Sequence, residues 1–328
     1  WDMAVSGSPR GWMLLWTALG FLFFSSAMER AEDGEGTAAP ILGLGFACGL
    51  MILTHWLAIA PVVGFMIAAA LFMPRRLLAV VKVGIFPALC LAGVGWRNLA
   101  ITGDVLGVAK ASFQSLLVYG GDEPILRDFV SMNPGIAVDS ILRKMGLNFQ
   151  VQWRDAYRHL GAVFPAFLFF LCLLHRFRRN EVNASCWALA IVWLCTAVAM
   201  ALVGLKPQQL DDHDLYITLV PLMTGFGVAF LALMWARLSF GNNWFAQQWG
   251  YGLVAIFFSA LPMLATLPAG LRTGILFRGQ LAHWPPYMPD RFARLTSMVA
   301  ENEVLFTDAP WALAWYADRM AVWMPISR

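Results

Sequence analysis

Eight stretches of the chain are apolar over most of their length and are separated by polar segments: residues 11–28, 38–54, 56–73, 77–96, 158–174, 184–205, 215–236 and 249–270. A helix needs about 20 mainly apolar residues to cross a hydrocarbon core roughly 30 Å thick, so each stretch reads as one span. The second and third form a single apolar run too long for one crossing. His55 and Pro61, in "THWLAIAP", mark where that run breaks and folds back as a hairpin. The pattern predicts an all-α polytopic membrane protein with about eight transmembrane helices.

The polar segments are unequal. Most are short turns, whereas residues 98–157 form a long loop and residues 271–328 a tail, each with a pattern of its own. In "DVLGVAKASFQSLLVY", Leu106, Ala109, Phe113, Leu116 and Leu117 recur at helical spacing. Val138, Ile141, Leu142 and Met145 do the same in "NPGIAVDSILRKMGLNF", with Arg143 and Lys144 on the other face and Gly146 as the stop. Both read as helices in the membrane interface, apolar face down. The tail predicts an amphipathic helix in "PDRFARLTSMVA", a strand over Val304 to Phe306, a turn capped by Asp308, a helix from Pro310 and a strand over Ala321 to Trp323. That is the start of a small external α/β domain. The organisation is therefore helices one to four in 1–97, an external loop in 98–157, helices five to eight in 158–270 and an α/β segment in 271–328. The chain opens on Trp1 and halts before such a domain could bury a core, so it reads as a piece of a longer protein.

Composition agrees with the pattern. Hydrophobic residues make up 59% of the chain and charged ones 13%, with 15 Trp and 24 Phe, a balance outside that of soluble domains. The net charge is +3, and no Lys/Arg run with interleaved aromatics points to nucleic acid. Position matters more than sum. Arg75 and Arg76 precede the fourth span, Arg176, Arg178 and Arg179 follow the fifth, and Arg237 follows the seventh. With eight spans these fall on one side, which the positive-inside rule makes cytoplasmic. The long loop, the turn "KPQQLDDHD" and both termini then face outward. The segment "MERAEDGEGT" is the exception, a cytoplasmic turn with a single Arg. Cys48, Cys90, Cys172, Cys186 and Cys195 all fall in apolar segments and read as small hydrophobes, without disulfides or a thiolate metal site.

Several polar residues on the outward side carry candidate chemistry. Arg97, in "GWRNLAITGD", is either a snorkelling anchor beside the interfacial Trp96 or a guanidinium fork that grips a lipid phosphate. His55 is either a polar tip at a helix break or a phosphate donor or proton carrier. Asp211, Asp212 and Asp214 flank His213 in "DDHD", residues of metal-ligand type, yet adjacent helical positions do not face one point, and an acidic helix cap accounts for them equally. Asp104 reads as a turn residue rather than a general base. Trp153, Arg154, Asp155, Tyr157, Arg158 and His159 form a polar and aromatic knot where the long loop re-enters the membrane, suited either to a sugar or to an interfacial belt. No GxGxxG, P-loop, HExxH or GxSxG occurs, and mid-span charges and paired broken helices of the secondary-transporter kind are essentially missing.

Four stretches carry a resemblance. "GLGFACGLMILTHWLAIAPVVGFMIAAALFMPRR", "GWRNLAITGDVLG", "HDLYITLVPLM" and "VLFTDAPWALAWYADRMAVWMP" occur in the order expected of glycosyltransferase C superfamily membrane proteins, and the chain resembles the bacterial relatives of protein O-mannosyltransferases and of the lipid A aminoarabinose transferase. The resemblance implies transfer of a sugar from a polyprenyl-phosphate donor to a glycan, lipid or protein acceptor on the outer face of a bacterial inner membrane. In such chemistry a carboxylate activates the acceptor while cations hold the lipid phosphate as leaving group. Arg97 and Asn98 match the family pattern residue for residue and would hold the donor phosphate. His55 stands where many relatives carry Arg or Lys, and Asp2 lies near a second acidic position. The catalytic acid of the family lies upstream of where this chain starts, so this piece alone is expected to be inactive. No cofactor is implied, a divalent metal being the one option. A non-enzymatic polytopic protein, such as a lipid or polysaccharide exporter, stays open as the alternative.

Overall fold

The computed structural model describes residues 10–107, 138–161, 163–203, 215–238, 244–271, 293–294, 298–300, 302–307 and 310–323. The apolar stretches become helices: α1 (Arg10–Glu32), α2 (Ala38–Thr54), a 3-10 turn (Trp56–Ala58) leading into α3 (Ile59–Phe72), and α4 (Arg76–Thr102). The long loop supplies α5 (Val138–Arg154) and the single turn α6 (Ala156–His159), followed by α7 (Phe164–Cys172), α8 (Asn180–Val203), a 3-10 turn (Tyr216–Thr218), α9 (Val220–Trp235) and α10 (Trp244–Leu271). By length and composition Gly11–Glu32, Arg76–Thr102 and Asn180–Val203 can each cross a membrane, while α2, the α3 region and α9 are apolar but shorter. Three such helices, with surfaces as apolar as Trp12 (60% exposed), Leu77 (85%) and Trp96 (77%), make this a membrane-embedded protein.

Local chemistry explains the boundaries. His55 is extended (φ −155°, ψ 128°) and breaks the long apolar run, whereas Pro61 lies in the first turn of α3, where its missing N–H is no loss. α4 continues beyond the expected end at residue 96 to Thr102, because Gly103 (φ 73°) adopts the left-handed conformation that closes a helix. Three expectations need correction. The fifth apolar segment, expected as one span over 158–174, is divided: α6 ends at His159 and the nine-residue α7 begins at Phe164, after a turn at Gly161 (φ 66°) and with Pro165 in its first turn. Gly146, expected to stop the loop helix, lies in the middle of α5, and Lys82 places a charge inside the α4 span.

Interhelical contacts set the direction of the helices. Ser25, near the end of α1, and Ser185, near the start of α8, share a hydroxyl hydrogen bond of 2.8 Å. Gly45 and Gly49 of α2 face Val83 and Phe86 of α4, so these two helices run parallel. The starts of α2, α4 and α8 thus lie at one end, with Arg75, Arg76 and Arg179. At the other end lie His55, Arg97 and the last turn of α8. In lipid, where apolar burial drives little association, such close approaches and hydrogen bonds hold helices together. The core runs through Phe24, Leu44, Phe65, Leu189 and Met200, all essentially inaccessible.

The chain divides into two compact units, residues 1–122 with 135–261, and residues 123–134 with 262–328. The second contains a β–α–β unit: β1 (Leu305–Thr307) and β2 (Ala321–Trp323) pair in parallel on either side of α11 (Pro310–Ala317). The expected strand at 304–306 is shifted by one residue and that at 321–323 is in place. Most of the predicted amphipathic helix before β1, the Asp308 cap, and the loop helix carrying Ala109, Phe113, Leu116 and Leu117 lie outside the described residues; Leu106 sits in the bend that follows α4.

Candidate functional site

α5 inverts the usual amphipathic arrangement. Val138, Leu142, Leu147 and Trp153 are exposed, whereas Lys144, Asn148 and Gln152, four residues apart on one face, are buried against protein. Burial of that stripe explains why Gly146 does not end the helix: a glycine costs about 1 kcal/mol in a helix interior, less than the side-chain bonds that hold the helix on either side of it. Asn148 Nδ2 donates to the Ala201 carbonyl at 2.9 Å, and Gln152 Nε2 to the Ala197 carbonyl at 3.2 Å. Ala201 lies in the last turn of α8, whose carbonyls have no helical donor, so Asn148 supplies a cap from a neighbouring helix. Tyr216 donates its hydroxyl to Gln152 Oε1. One turn before Asn148, burial lowers the Lys144 ammonium from its ordinary value to about 8.

Beside this seam is a cavity of about 590 Å³. Gln152 and Trp153 of α5, Phe167 and Phe170 of α7, Trp193 of α8 and Tyr216 form much of its wall. The rings are ordered edge to face: Phe170 lies 4.9 Å from Trp193 at 74°, and Phe167 6.1 Å from Phe170 at 71°. The wall is almost wholly apolar, with the Gln152–Tyr216 pair as its polar handle. Such a space accepts a hydrocarbon chain and offers one orienting contact.

Of the residues singled out by sequence, Trp153 lines this cavity, and Tyr157 lies edge-on to Phe167, ring centres 6.1 Å apart. Arg154 pairs with Asp155 at 3.2 Å at the exposed surface, where that hydrogen bond raises the guanidinium above its ordinary value. Arg158 and His159 belong to α6, with side chains outside the described set. Arg97 is exposed in the last turns of α4, and Asn98 donates Nδ2 to the Val105 carbonyl at 3.2 Å. Asp104 Oδ1 accepts from the Leu106 amide at 2.9 Å, the Asx-turn arrangement expected of a turn residue. His55 Nδ1 accepts from the Leu57 amide at 3.2 Å, capping the 3-10 turn, and its ring stacks on Trp56. Arg97, Asn98 and Asp104 thus share one short stretch at the end of α4, with His55 and the α5 cavity at the same end of the helices. Asp2, Asp211, Asp212 and Asp214 lie outside the described residues, and among the described residues no three His, Cys, Asp or Glu side chains converge as a metal site.

Sequence reasoning placed Lys144 with Arg143 on the outer face of its helix, whereas Lys144 is buried and Arg143 exposed, and it missed Asn148 and Gln152. Their signal was a polar repeat of four in "KMGLNFQVQ", hidden because the apolar repeat of the same helix faces outward. No protein-family model, curated protein or solved structure matches this chain.

Proposed function

We propose that this chain is the membrane-embedded part of a glycosyltransferase that moves a sugar from a polyprenyl-phosphate donor to an acceptor on the outer face of a bacterial inner membrane. The observation that carries the reading is the apolar cavity beneath α5, with its Gln152–Tyr216 handle and its Trp153 rim. It has the chemistry of a receptor for an isoprenoid segment. Arg97 and Asn98 lie at the same end of the helices, and the Arg97 guanidinium holds the donor phosphate while a carboxylate activates the acceptor. The order of the four sequence stretches supports this class of donor.

The test uses the full-length protein reconstituted in liposomes with a panel of radiolabelled polyprenyl-phosphate sugars. Ala156→Phe, which fills the cavity, should abolish donor binding, and Arg97→Ala should abolish transfer while insertion is unchanged. Undiminished binding in Ala156→Phe, or full transfer in both Arg97→Lys and Arg97→Ala, would overturn the assignment.

A further inference from the structure

A second cavity, of about 430 Å³, lies at the opposite end of the helices from α5 and belongs to none of the sites above. The α1–α2 turn, the first turn of α2 and the start of α4 enclose it, and its charged lining residues are Glu35, Arg75 and Lys82. Lys82 is half-buried and lies six residues inside α4, about 9 Å along the axis at 1.5 Å per residue. A charge at that depth in an apolar span marks a binding site or pathway more often than a packing role. Arg75 holds a left-handed backbone (φ 55°, ψ 55°) that an arginine adopts only under constraint. Among the described residues neither cation has an ion-pair partner. The remaining wall is apolar where Ile41, Leu78 and Ala79 contribute, so the cavity joins a charged mouth to a hydrocarbon interior.

We propose that this cavity holds the head group of an ethanolamine phospholipid, its phosphodiester between Arg75 and Lys82 and its ammonium on Glu35. The two cations can flank the single negative charge of the phosphodiester, and the carboxylate can take the ammonium. The guanidinium fork fits two phosphate oxygens, and Lys82 lines the same cavity from within the span. A glycerol head group satisfies the cations but leaves Glu35 without an ammonium. A choline head group supplies no N–H to that carboxylate. Free phosphate satisfies the cations alone.

The experiment is native mass spectrometry of the full-length, delipidated protein in detergent, titrated with dioleoyl-phosphatidylethanolamine, -phosphatidylglycerol or -phosphatidylcholine at equal concentrations. One ethanolamine lipid should be retained in preference to the others. Arg75→Gly, which suits the left-handed backbone, and Lys82→Met, which keeps the aliphatic stem, should each lower its occupancy about tenfold, the worth of one charge-assisted contact. Glu35→Gln, on an exposed turn, should bring the ethanolamine lipid down to the level of the glycerol lipid. Retention unchanged in all three variants overturns the site, and equal retention of the two lipids by the unsubstituted protein overturns the ethanolamine assignment. A parallel calorimetric titration with inorganic phosphate separates the sources: heat that disappears in Lys82→Met, with no lipid retained, would make free phosphate the ligand and overturn the lipid. Size-exclusion and circular dichroism profiles accompany each variant, and Glu35→Gln decides should either cation variant fail to fold.

Discussion

α4 and α8 have the same mean hydropathy, 2.3, yet occupy opposite environments. Half of the apolar segment of α8 is buried in protein, against 17% of that of α4. α8 packs on α1, α3 and α5 and accepts side-chain hydrogen bonds from Asn148 and Gln152. α4 packs on α2 and α3 and otherwise displays Leu77, Val81, Ile85 and Leu89 outward. Hydropathy measures whether a helix can leave water and is silent on whether protein or lipid replaces it. What distinguishes the two is α5, which packs on α8 and brings polar donors to it; glycines of neighbouring helices serve both, Gly45 and Gly49 facing α4 and Gly64 facing α8. A residue on α4 that is polar without being buried, such as Arg97, is free to serve a ligand.

The sharpest way to break the comparison is a side chain added at a glycine. A Cβ on Gly64 of α3 would lie 2.6 Å from the Val192 Cα of α8, a backbone contact that cannot turn aside, whereas Gly93 of α4 has no atom within 4 Å of the equivalent position. Gly64→Leu should separate α3 from α8 and give aggregated protein on fluorescence-detected size exclusion. Gly93→Leu should elute as the unsubstituted protein and melt no lower, since glycine is the poorer helix former by about 1 kcal/mol. A monodisperse Gly64→Leu would show that the α3–α8 contact is dispensable.

A smaller effect is expected where α5 closes the end of α8. Asn148→Ala leaves the Ala201 carbonyl buried without its donor, a loss of about 1–3 kcal/mol. Asn98→Ala on α4 removes a bond to Val105 that water replaces at the exposed surface, and should change stability by well under 1 kcal/mol. Thermal unfolding in one detergent, monitored by circular dichroism, compares the two; equal shifts would remove the distinction between a protein-facing and a lipid-facing helix.

Much of this contrast was legible in the sequence and part of it was not. The apolar segments, the break at His55 and the Asp104 turn follow from chain-local chemistry: hydrophobic length, a polar residue amid apolar ones, a short carboxylate that bonds its own backbone. The division of the fifth segment was signalled by Gly161 and Pro165 but was outweighed by continuous hydrophobicity. The α5 seam was illegible for a different reason. In a water-soluble protein an amphipathic helix buries its apolar face, so a polar stripe reads as the outer one. In a membrane protein lipid takes the apolar face, and the polar stripe goes inward if it finds acceptors. The acceptors are carbonyls of α8, 45 and 53 residues away along the chain, and no local pattern records them.

The least conspicuous consequence of that inversion is a dependence on pH. Burial beside α8 lowers Lys144 from 10.5 to about 8, so the folded protein releases its proton more readily than the unfolded chain does. Below about pH 8 both states hold the proton, and this group gives stability no slope. Between about 8 and 10.5 the unfolded state holds it and the folded state does not, so the contribution of Lys144 to stability rises with pH across this window and is level above it. The signature is the difference between two curves, because other groups also titrate there. Urea unfolding at pH 7 to 11 should show Lys144→Met more stable than the unsubstituted protein at pH 7 and the gap closing as pH rises. A Lys144→Met gap that widens with pH would mean that the buried end of α5 favours the charged ammonium, and the polar seam would then be an electrostatic clamp on α8 rather than a set of hydrogen bonds.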